Sequence, residues 1–517
     1  MVDKTILAID CGTQSLRAII FSQKGELLER VQIEYEPYFS KHPGWAEQDP
    51  ELYWNSLAQA CQKLKSLNRE RFSKISGIGI TSQRDSMINV DETGKPLRPA
   101  IIWLDQRKAK PFFAVKGLLN LGLKMVNLEK LIVGIQAEGK CNWIRQNQPE
   151  IWEKTHKYLQ ISGFLNFRLT GNFVDSVASQ IGHVPFSYKK QTWAKRYELP
   201  AILFPIEKEK LPQIAIPGEI MGTITSRAAE ATGLEKGIPV IACGSDKGCE
   251  TLGAGVIKQN MANLSFGTIA TVQTTSDKYF EAIRLLPAYP APVPGLYNSE
   301  VEIFRGFWMI TWFKKEFAQK EVEQAKKAGI PAEEILNQFL AQTEPGSMGL
   351  IVQPYWSPGL DQPKAKGAMI GFGDVHKKSH IYRAVIEGLG FALCEGMKKI
   401  EQKTKIKIEK AAVSGGASQS DEICKITADI FDIPMVKGRT HETSGLGAAI
   451  IVAKGIGMYS SIDEAIDNMI KIKRVFEPDQ NNVEIYKELY SKVYSKIYKA
   501  LEPLYSQIQQ ITGYPKY

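Results

Sequence analysis

Cysteine is scarce in this chain and follows no pattern. There are seven in 517 residues (Cys11, Cys61, Cys141, Cys243, Cys249, Cys394, Cys424), an odd number with no Cys-x-x-Cys pair. That argues for reduced thiols in a cytoplasmic protein. Histidine is scarcer still, at six residues. The pair His376 and His380 lies in "GDVHKKSH", which reads as a loop leading into a helix and not as a zinc site. Long apolar runs are missing, none approaching the ~18 residues that a bilayer span needs. The start "MVDKTILAIDCG" has no small-residue cleavage site, so neither export nor a membrane span is expected. No Gly-x-Gly-x-x-Gly fingerprint occurs. Charge of one sign does not dominate either: 65 basic against 56 acidic residues leave +9, spread through segments such as "KKIEQKTKIKIEK". Solvated basic faces account for that excess, and its field would favour anionic ligands such as nucleotide phosphates. Nothing in the sequence points to nucleic-acid binding.

A chain of this length exceeds what one core supports, so two large domains are expected, with the change near Gly253 to Gly255. "TILAIDCGTQSLRAIIFSQKGELLERVQIEY" holds three short apolar runs separated by "CGTQS" and "SQKGE", the pattern of three antiparallel strands. "NMANLSFGTIATVQTTSD" repeats the device with Gly267-Thr268 in the place of Gly12-Thr13, which suggests a duplicated fold. "ISGIGITSQ", "AIIWLD" and "IPVIACGSD" read as buried strands. "DPELYWNSLAQACQKLKSL" and "IYRAVIEGLGFALCEGMKKIEQ" read as amphipathic helices. The fold class is α/β, with helices covering sheets. Tyr486, Tyr490, Tyr494 and Tyr498 form a packing stripe on a terminal helix.

Three glycine-rich segments could hold phosphate or nucleotide. "GIQAEGKC" is a fourth by pattern alone. It has P-loop spacing around Lys140, but Cys141 stands where Ser or Thr should hold magnesium and no strand precedes it, so it reads as a chance match. The two glycine-threonine turns are better candidates. A turn with little side-chain bulk brings backbone N–H groups against phosphate oxygens, and Thr13, Ser15 and Thr268 add hydroxyl donors. The third segment, "AAVSGGASQSDEICKITADIFDIPM", runs strand, Gly415-Gly416-Ala417, helix, and offers N–H groups beside a surface where a flat ring could lie. "HETSGLGAAIIVAKGIG" follows as a helix whose small residues allow close packing.

These motifs, with "PGWAEQDPELYW", "GITSQRDSMINVDETGKPLRPAIIWLDQR" and "GSDKGCETLGAG", stand in an order that resembles the FGGY carbohydrate kinases, from about Ile6 to about Ile456. The resemblance implies an actin-like ATPase fold: two ribonuclease-H-like domains, residues 1–253 and 254–517, with ATP and a sugar in the cleft between them. It implies that Asp246 is the catalytic base and that Asp10, with Asp246, positions Mg²⁺. Gly12, Thr13, Gln14 and Arg17 fall on the first phosphate segment, and Gly267 and Thr268 on the second. Gly415, Gly416, Ala417 and Ser420 fall on the adenosine segment, where glycerol kinases carry Asn in the place of Ser420. By family analogy a homodimer is expected.

The same resemblance implies that "TSQRDSM" and "IIWLDQR" line the sugar region, which makes Gln83, Arg84, Asp85, Trp103 and Asp105 the expected sugar ligands: polar groups for several hydroxyls and an aromatic face for the C–H side. "SQRD" is close to the "NQRE" of glycerol kinases, whereas "AIIWLD" points toward the xylulokinase style. Lys247 follows the expected base where relatives carry a neutral residue. It could contact the γ-phosphate, recognise an acidic substrate, turn away into solvent, or pair with Glu250. The leading expectation is an ATP-dependent kinase of a ketopentose such as xylulose, with glycerol or another short polyol as the alternative. A catalytically silent actin-like nucleotide-binding protein and a P-loop NTPase acting through Lys140 are the competing classes.

Overall fold

The computed structural model describes residues 4–112, 129–359 and 362–514. The chain forms two compact units. The first holds Met1–Gly253, Tyr289–Tyr297 and Thr443–Ile470, and the second holds Ala254–Ala288, Asn298–Glu442 and Lys471–Tyr517.

In the first unit the three apolar runs of the amino-terminal stretch become strands Thr5–Cys11, Ser15–Ser22 and Leu27–Glu34, paired antiparallel in that order. Every residue of Thr5–Cys11 is buried, as a strand covered on both faces requires. Its other edge pairs in parallel with Ile75–Ser82, which pairs in parallel with Pro239–Ile241, and Ile220–Thr223 closes the edge antiparallel. Helix Pro50–Leu67 packs on this sheet, opened by Asp49, which accepts from the Glu51 N–H, and by Pro50 in the first turn, where its missing N–H costs nothing.

Helix Thr443–Gly455 belongs to this unit and presses against helix Asp246–Gly253. Glycine makes the approach possible. A Cβ on Gly447 would lie 1.9 Å from the Cys249 carbonyl oxygen, and one on Gly253 would lie 1.9 Å from that of Thr443.

The second unit repeats the scheme. Strands Met261–Phe266 and Ala270–Ser276 form the hairpin, Met261–Phe266 pairs in parallel with Lys410–Ser414, which pairs in parallel with Met435–Gly438, and Ile472–Phe476 closes that edge antiparallel. Its core gathers side chains from this sheet and from helix Lys378–Thr404. The tyrosine stripe packs as expected: Tyr486 and Tyr494 are buried, and both rings meet Phe391. The helix itself is interrupted by a wider π turn over Tyr490–Tyr494.

One sequence reading changes. "AIIWLD" is a strand only over Ala100–Ile101, because the chain then turns, with the Asp105 N–H donating to the Ile102 carbonyl at 3.1 Å and leaving Trp103 exposed. "GIQAEGKC" has no P-loop geometry: it joins helix Glu129–Glu138 to helix Lys140–Asn147, and no strand leads into it. Among the described residues, no helix is long and apolar enough to cross a membrane.

Candidate active site

In the first unit, three neighbouring parallel strands deliver the expected site residues at their carboxyl ends, where open α/β sheets present ligand-binding groups. Asp10 is the penultimate residue of its strand and pairs in register with Arg17 and Thr81. The Gln83 N–H donates to the Cys11 carbonyl, and Ser82 bridges to Ser245, so Gln83-Arg84-Asp85 and Asp246 leave the sheet side by side.

Asp10 is almost wholly buried, and its carboxylate meets the Arg17 guanidinium at 2.6 Å. The Gly12-Thr13 turn is cross-linked to the expected sugar ligands. Trp103 Nε1 donates to Thr13 Oγ1 at 2.9 Å, and the Thr13 hydroxyl donates to Gln83 Oε1 at 2.9 Å. The proton of that hydroxyl is therefore already used within the protein. Gln14 is exposed at the tip of the turn, with its carbonyl accepting from Tyr35 N–H.

Asp85 sits at φ +50°, a left-handed conformation sparsely populated by residues other than glycine. Its Oδ1 accepts from the His183 backbone N–H at 3.0 Å, and its Oδ2 lies 2.9 Å from His183 Nδ1 and 2.5 Å from Lys140 Nζ. Burial pushes its pKa up, but the Lys140 and His183 charges and hydrogen bonds outweigh that and hold the carboxyl well below the usual range. Asp105, expected beside it as a sugar ligand, is occupied elsewhere. Its carboxylate binds Arg107 through both oxygens and accepts from the Ala46 N–H at 2.6 Å, with a side chain only 2% exposed. Arg107 is further held by Glu47 and by the face of Trp45, so Asp105 anchors a scaffold.

Asp246 is the first residue of helix Asp246–Gly253, and Ser245 caps that helix by accepting from the Gly248 N–H. Arg84 Nε lies 4.0 Å from Asp246 Oδ1, and the Arg84 guanidinium rests 5.2 Å from the Tyr289 ring centroid. Burial raises the Asp246 pKa above the usual carboxylate value, against the opposing pull of Arg84 and Lys247. Lys247 Nζ bonds Glu250 Oε2 at 2.8 Å, one helical turn on.

In the second unit, Gly267-Thr268 forms the turn of the hairpin and Thr268 is exposed. Gly415 leaves the adjacent parallel strand at φ +80°, and a Cβ there would lie 2.9 Å from the Phe266 carbonyl carbon and 3.0 Å from the Gly267 nitrogen. The two glycine segments are thus in backbone contact. Gly416 faces open space, with nothing within 4 Å of where a Cβ would stand. The chain makes a 3₁₀ turn over Gly416–Gln419, including Ala417, and enters helix Asp421–Phe431. Ser420 caps that helix through the Ile423 N–H and donates to Asn337 Oδ1 at 2.6 Å.

Sequence reasoning missed Lys140, His183 and Asn337. Lys140 carried a signal, but it was the signal of a different motif. His183 in "QIGHVPF" and Asn337 in "ILNQF" stand far along the chain from the residues they touch and carried none.

The FGGY carbohydrate-kinase N-terminal domain matches residues 5–253, and the C-terminal domain of the same family matches residues 262–455. A protein of Lactococcus lactis named xylulose kinase is 29% identical over 494 residues, covering 93% of this chain and 94% of that one. A Deinococcus radiodurans protein named glycerol kinase is 27% identical over 493 residues, covering 93% and 94% respectively. The crystal structure of ligand-bound xylulose kinase from Lactobacillus acidophilus superposes with a TM-score of 0.81 at 22% identity, covering 98% of this chain and 99% of that one. With two units built on the same sheet and family domains along most of its length, this chain belongs to the FGGY family of carbohydrate kinases, phosphotransferases of actin-like fold.

Proposed function

We propose that this kinase transfers the γ-phosphoryl group of ATP to a hydroxyl of a neutral sugar or polyol, a ketopentose such as xylulose first, with Asp246 as the base. The observation that carries the reading is the placement of Asp246: a carboxylate at a strand end, raised in pKa by burial, with a guanidinium beside it and a glycine-threonine turn two strands away in the same sheet. An alcohol is a weak nucleophile at neutral pH. Asp246 Oδ takes the hydroxyl proton as the oxygen attacks the γ-phosphorus, the bond to the β-phosphate oxygen breaks, and ADP leaves. Arg84 orients the carboxylate and, with Gln83 and Asp85, binds acceptor hydroxyls. Exposed Trp103 offers its face to the C–H side.

Nucleotide falls to the glycine segments. The open space at Gly416 and the backbone contact between Gly415 and Gly267 suit a ligand laid directly on main chain, and Ala417 flanks the same surface. Ser420 contributes by capping and by holding Asn337 at that surface. Thr268 and the Gly12–Gln14 turn lie on the phosphate segments, and Arg17 stands as the cation of the first. Among the described residues, no group of three or more His, Cys, Asp or Glu side chains could hold a metal ion. Mg²⁺ takes one or two carboxylates and completes its shell with water and phosphate, so the pair Asp10 and Asp246 are the residues that would hold it. Bound there, the ion would neutralise charge on the β- and γ-phosphates.

Xylulose is favoured by the naming of several relatives, including those of Lactococcus lactis and Staphylococcus epidermidis, as xylulose kinase. Glycerol is the second reading, carried by the adjacent cation and carboxylate of Arg84 and Asp85 and by the glycerol kinase relative. Lys247 is compensated by Glu250, which supports the pairing role over recognition of an acidic substrate.

The test is ATP consumption with Mg²⁺ against xylulose, ribulose, glycerol, erythritol and gluconate, with Asp246→Asn in parallel. We expect one neutral acceptor to be turned over and the variant to lose ~10²–10⁴ in kcat. Unchanged turnover in Asp246→Asn would remove the base, and turnover of gluconate alone would reverse the assignment of Lys247.

A further inference from the structure

The Asp85 carboxylate is seated in a socket that the established chemistry of the family does not explain. One wall is the Gly182-His183 backbone. Gly182 stands at φ +130°, and a Cβ there would lie 2.4 Å from Asp85 Oδ1, so only glycine lets the carboxylate in. The floor is His183, which gives its backbone N–H to Oδ1 and turns Nδ1 to Oδ2. The far wall is Lys140, at the start of helix Lys140–Asn147, with its ammonium on Oδ2 and its side chain only 6% exposed. On the outer side, His183 Nε2 faces Glu138 Oε2 at 3.7 Å. The backbone of Asp85 is tied to the same segment, its N–H donating to the Ile181 carbonyl at 3.1 Å.

A carboxylate has about four lone-pair sites. The lysine and the imidazole occupy those of Oδ2, and the backbone amide takes one of Oδ1. One acceptor site on Oδ1 remains. Rotation about χ1 and χ2 is blocked by partners on three sides, and the carboxyl stays ionised because a buried ammonium adjoins it. A residue fixed in this way offers a single, oriented, acceptor-only position, which is what discrimination among hydroxyl stereoisomers needs.

We propose that Lys140 and His183 are positioning residues that lock Asp85 for acceptor recognition, so that acceptor affinity depends on them while nucleotide binding does not. This rests on the reading of Asp85 as an acceptor ligand, and the experiment separates the two. The variants are Asp85→Asn, Lys140→Gln, Lys140→Arg, His183→Ala and His183→Asn, the last able to return a side-chain N–H where Nδ1 stood. Each is assayed for KM of acceptor, KM of ATP, kcat and melting temperature, with the acceptor turned over fastest in the panel above.

We expect Lys140→Gln and His183→Ala to raise the acceptor KM roughly tenfold or more, the scale of a lost hydrogen bond to a charged group. KM for ATP and kcat should stay within about threefold. Lys140→Arg and His183→Asn should recover most of the loss. If Asp85→Asn leaves the acceptor KM unchanged, the acceptor reading of Asp85 fails. If Asp85→Asn raises it while Lys140→Gln and His183→Ala do not, the positioning role alone fails. A fall in melting temperature and kcat with a parallel rise in both KM values, without rescue by the conservative variants, would mark the socket as scaffold only, and absence of turnover with every acceptor would overturn both.

Discussion

Asp246, the proposed base, has a basicity balanced by named neighbours. Burial raises its pKa, and Arg84, then Lys247, pull it down. The active form is the carboxylate, so activity falls as pH drops through that raised value. Replacing Arg84 by Met removes the larger of the two downward pulls. The acid limb of the kcat–pH profile should therefore move to higher pH in Arg84→Met, measured at saturating ATP and acceptor. A limb that stays in place or moves to lower pH would separate Arg84 from the base. At this scale the sequence was a good guide to which residues stand together and a poor one to how they are engaged. Arg84 and Asp85 in one segment and Asp246 in another were legible as candidates because those segments follow a recognisable order. The engagement of Asp105 by Arg107 and of Ser420 by Asn337 was not, because hydrogen-bond saturation depends on neighbours that only the fold supplies. Lys140 was set aside for failing a motif it does not belong to.

Glycine positions decide how the elements seat, and their effects differ in sign. In helix Thr443–Gly455, Gly447→Ala would drive a methyl to 1.9 Å from the Cys249 carbonyl oxygen and push away the helix that begins with Asp246. Overpacking of this kind costs ~1–3 kcal/mol. The melting temperature should drop by several degrees, at roughly 2–4 °C per kcal/mol for a large domain. Gly134→Ala, in helix Glu129–Glu138, meets nothing within 4 Å and should instead stabilise by about 0.5–1 kcal/mol through backbone entropy alone. Thermal melts of the two variants beside wild type check the contrast. The elements were mostly legible: the three-strand start, the second glycine-threonine hairpin and the small-residue helix all stand where periodicity and turn chemistry put them. The strand read into "AIIWLD" failed because its apolar run spans a turn, and hydrophobicity alone does not distinguish an apolar turn from a buried strand.

Across the whole molecule the repeated sheet is the dominant regularity. Each unit sets an antiparallel hairpin beside a parallel centre and an antiparallel edge, and each hairpin turn carries glycine followed by threonine. All seven cysteines lie in buried positions, and burial raises thiols such as Cys61 and Cys141 to about 12. A thiol reagent such as Ellman's should accordingly react with few of the seven in the native protein and with all of them in denaturant, its slow native rate reporting local opening. Rapid native modification of most thiols would contradict this packing. Strand Thr5–Cys11 is synthesised long before helix Thr443–Gly455, yet that helix completes the same unit. At roughly 5–20 residues per second, a nascent chain that has passed Gly253 waits on the order of ten seconds or more for that helix. Throughout that interval Gly77, Gly79 and the Cys249 carbonyl lack the surface that covers them. The amino-terminal half therefore emerges as an unfinished core, one that a chaperone has time to meet and that a transcript ending early would leave permanently open.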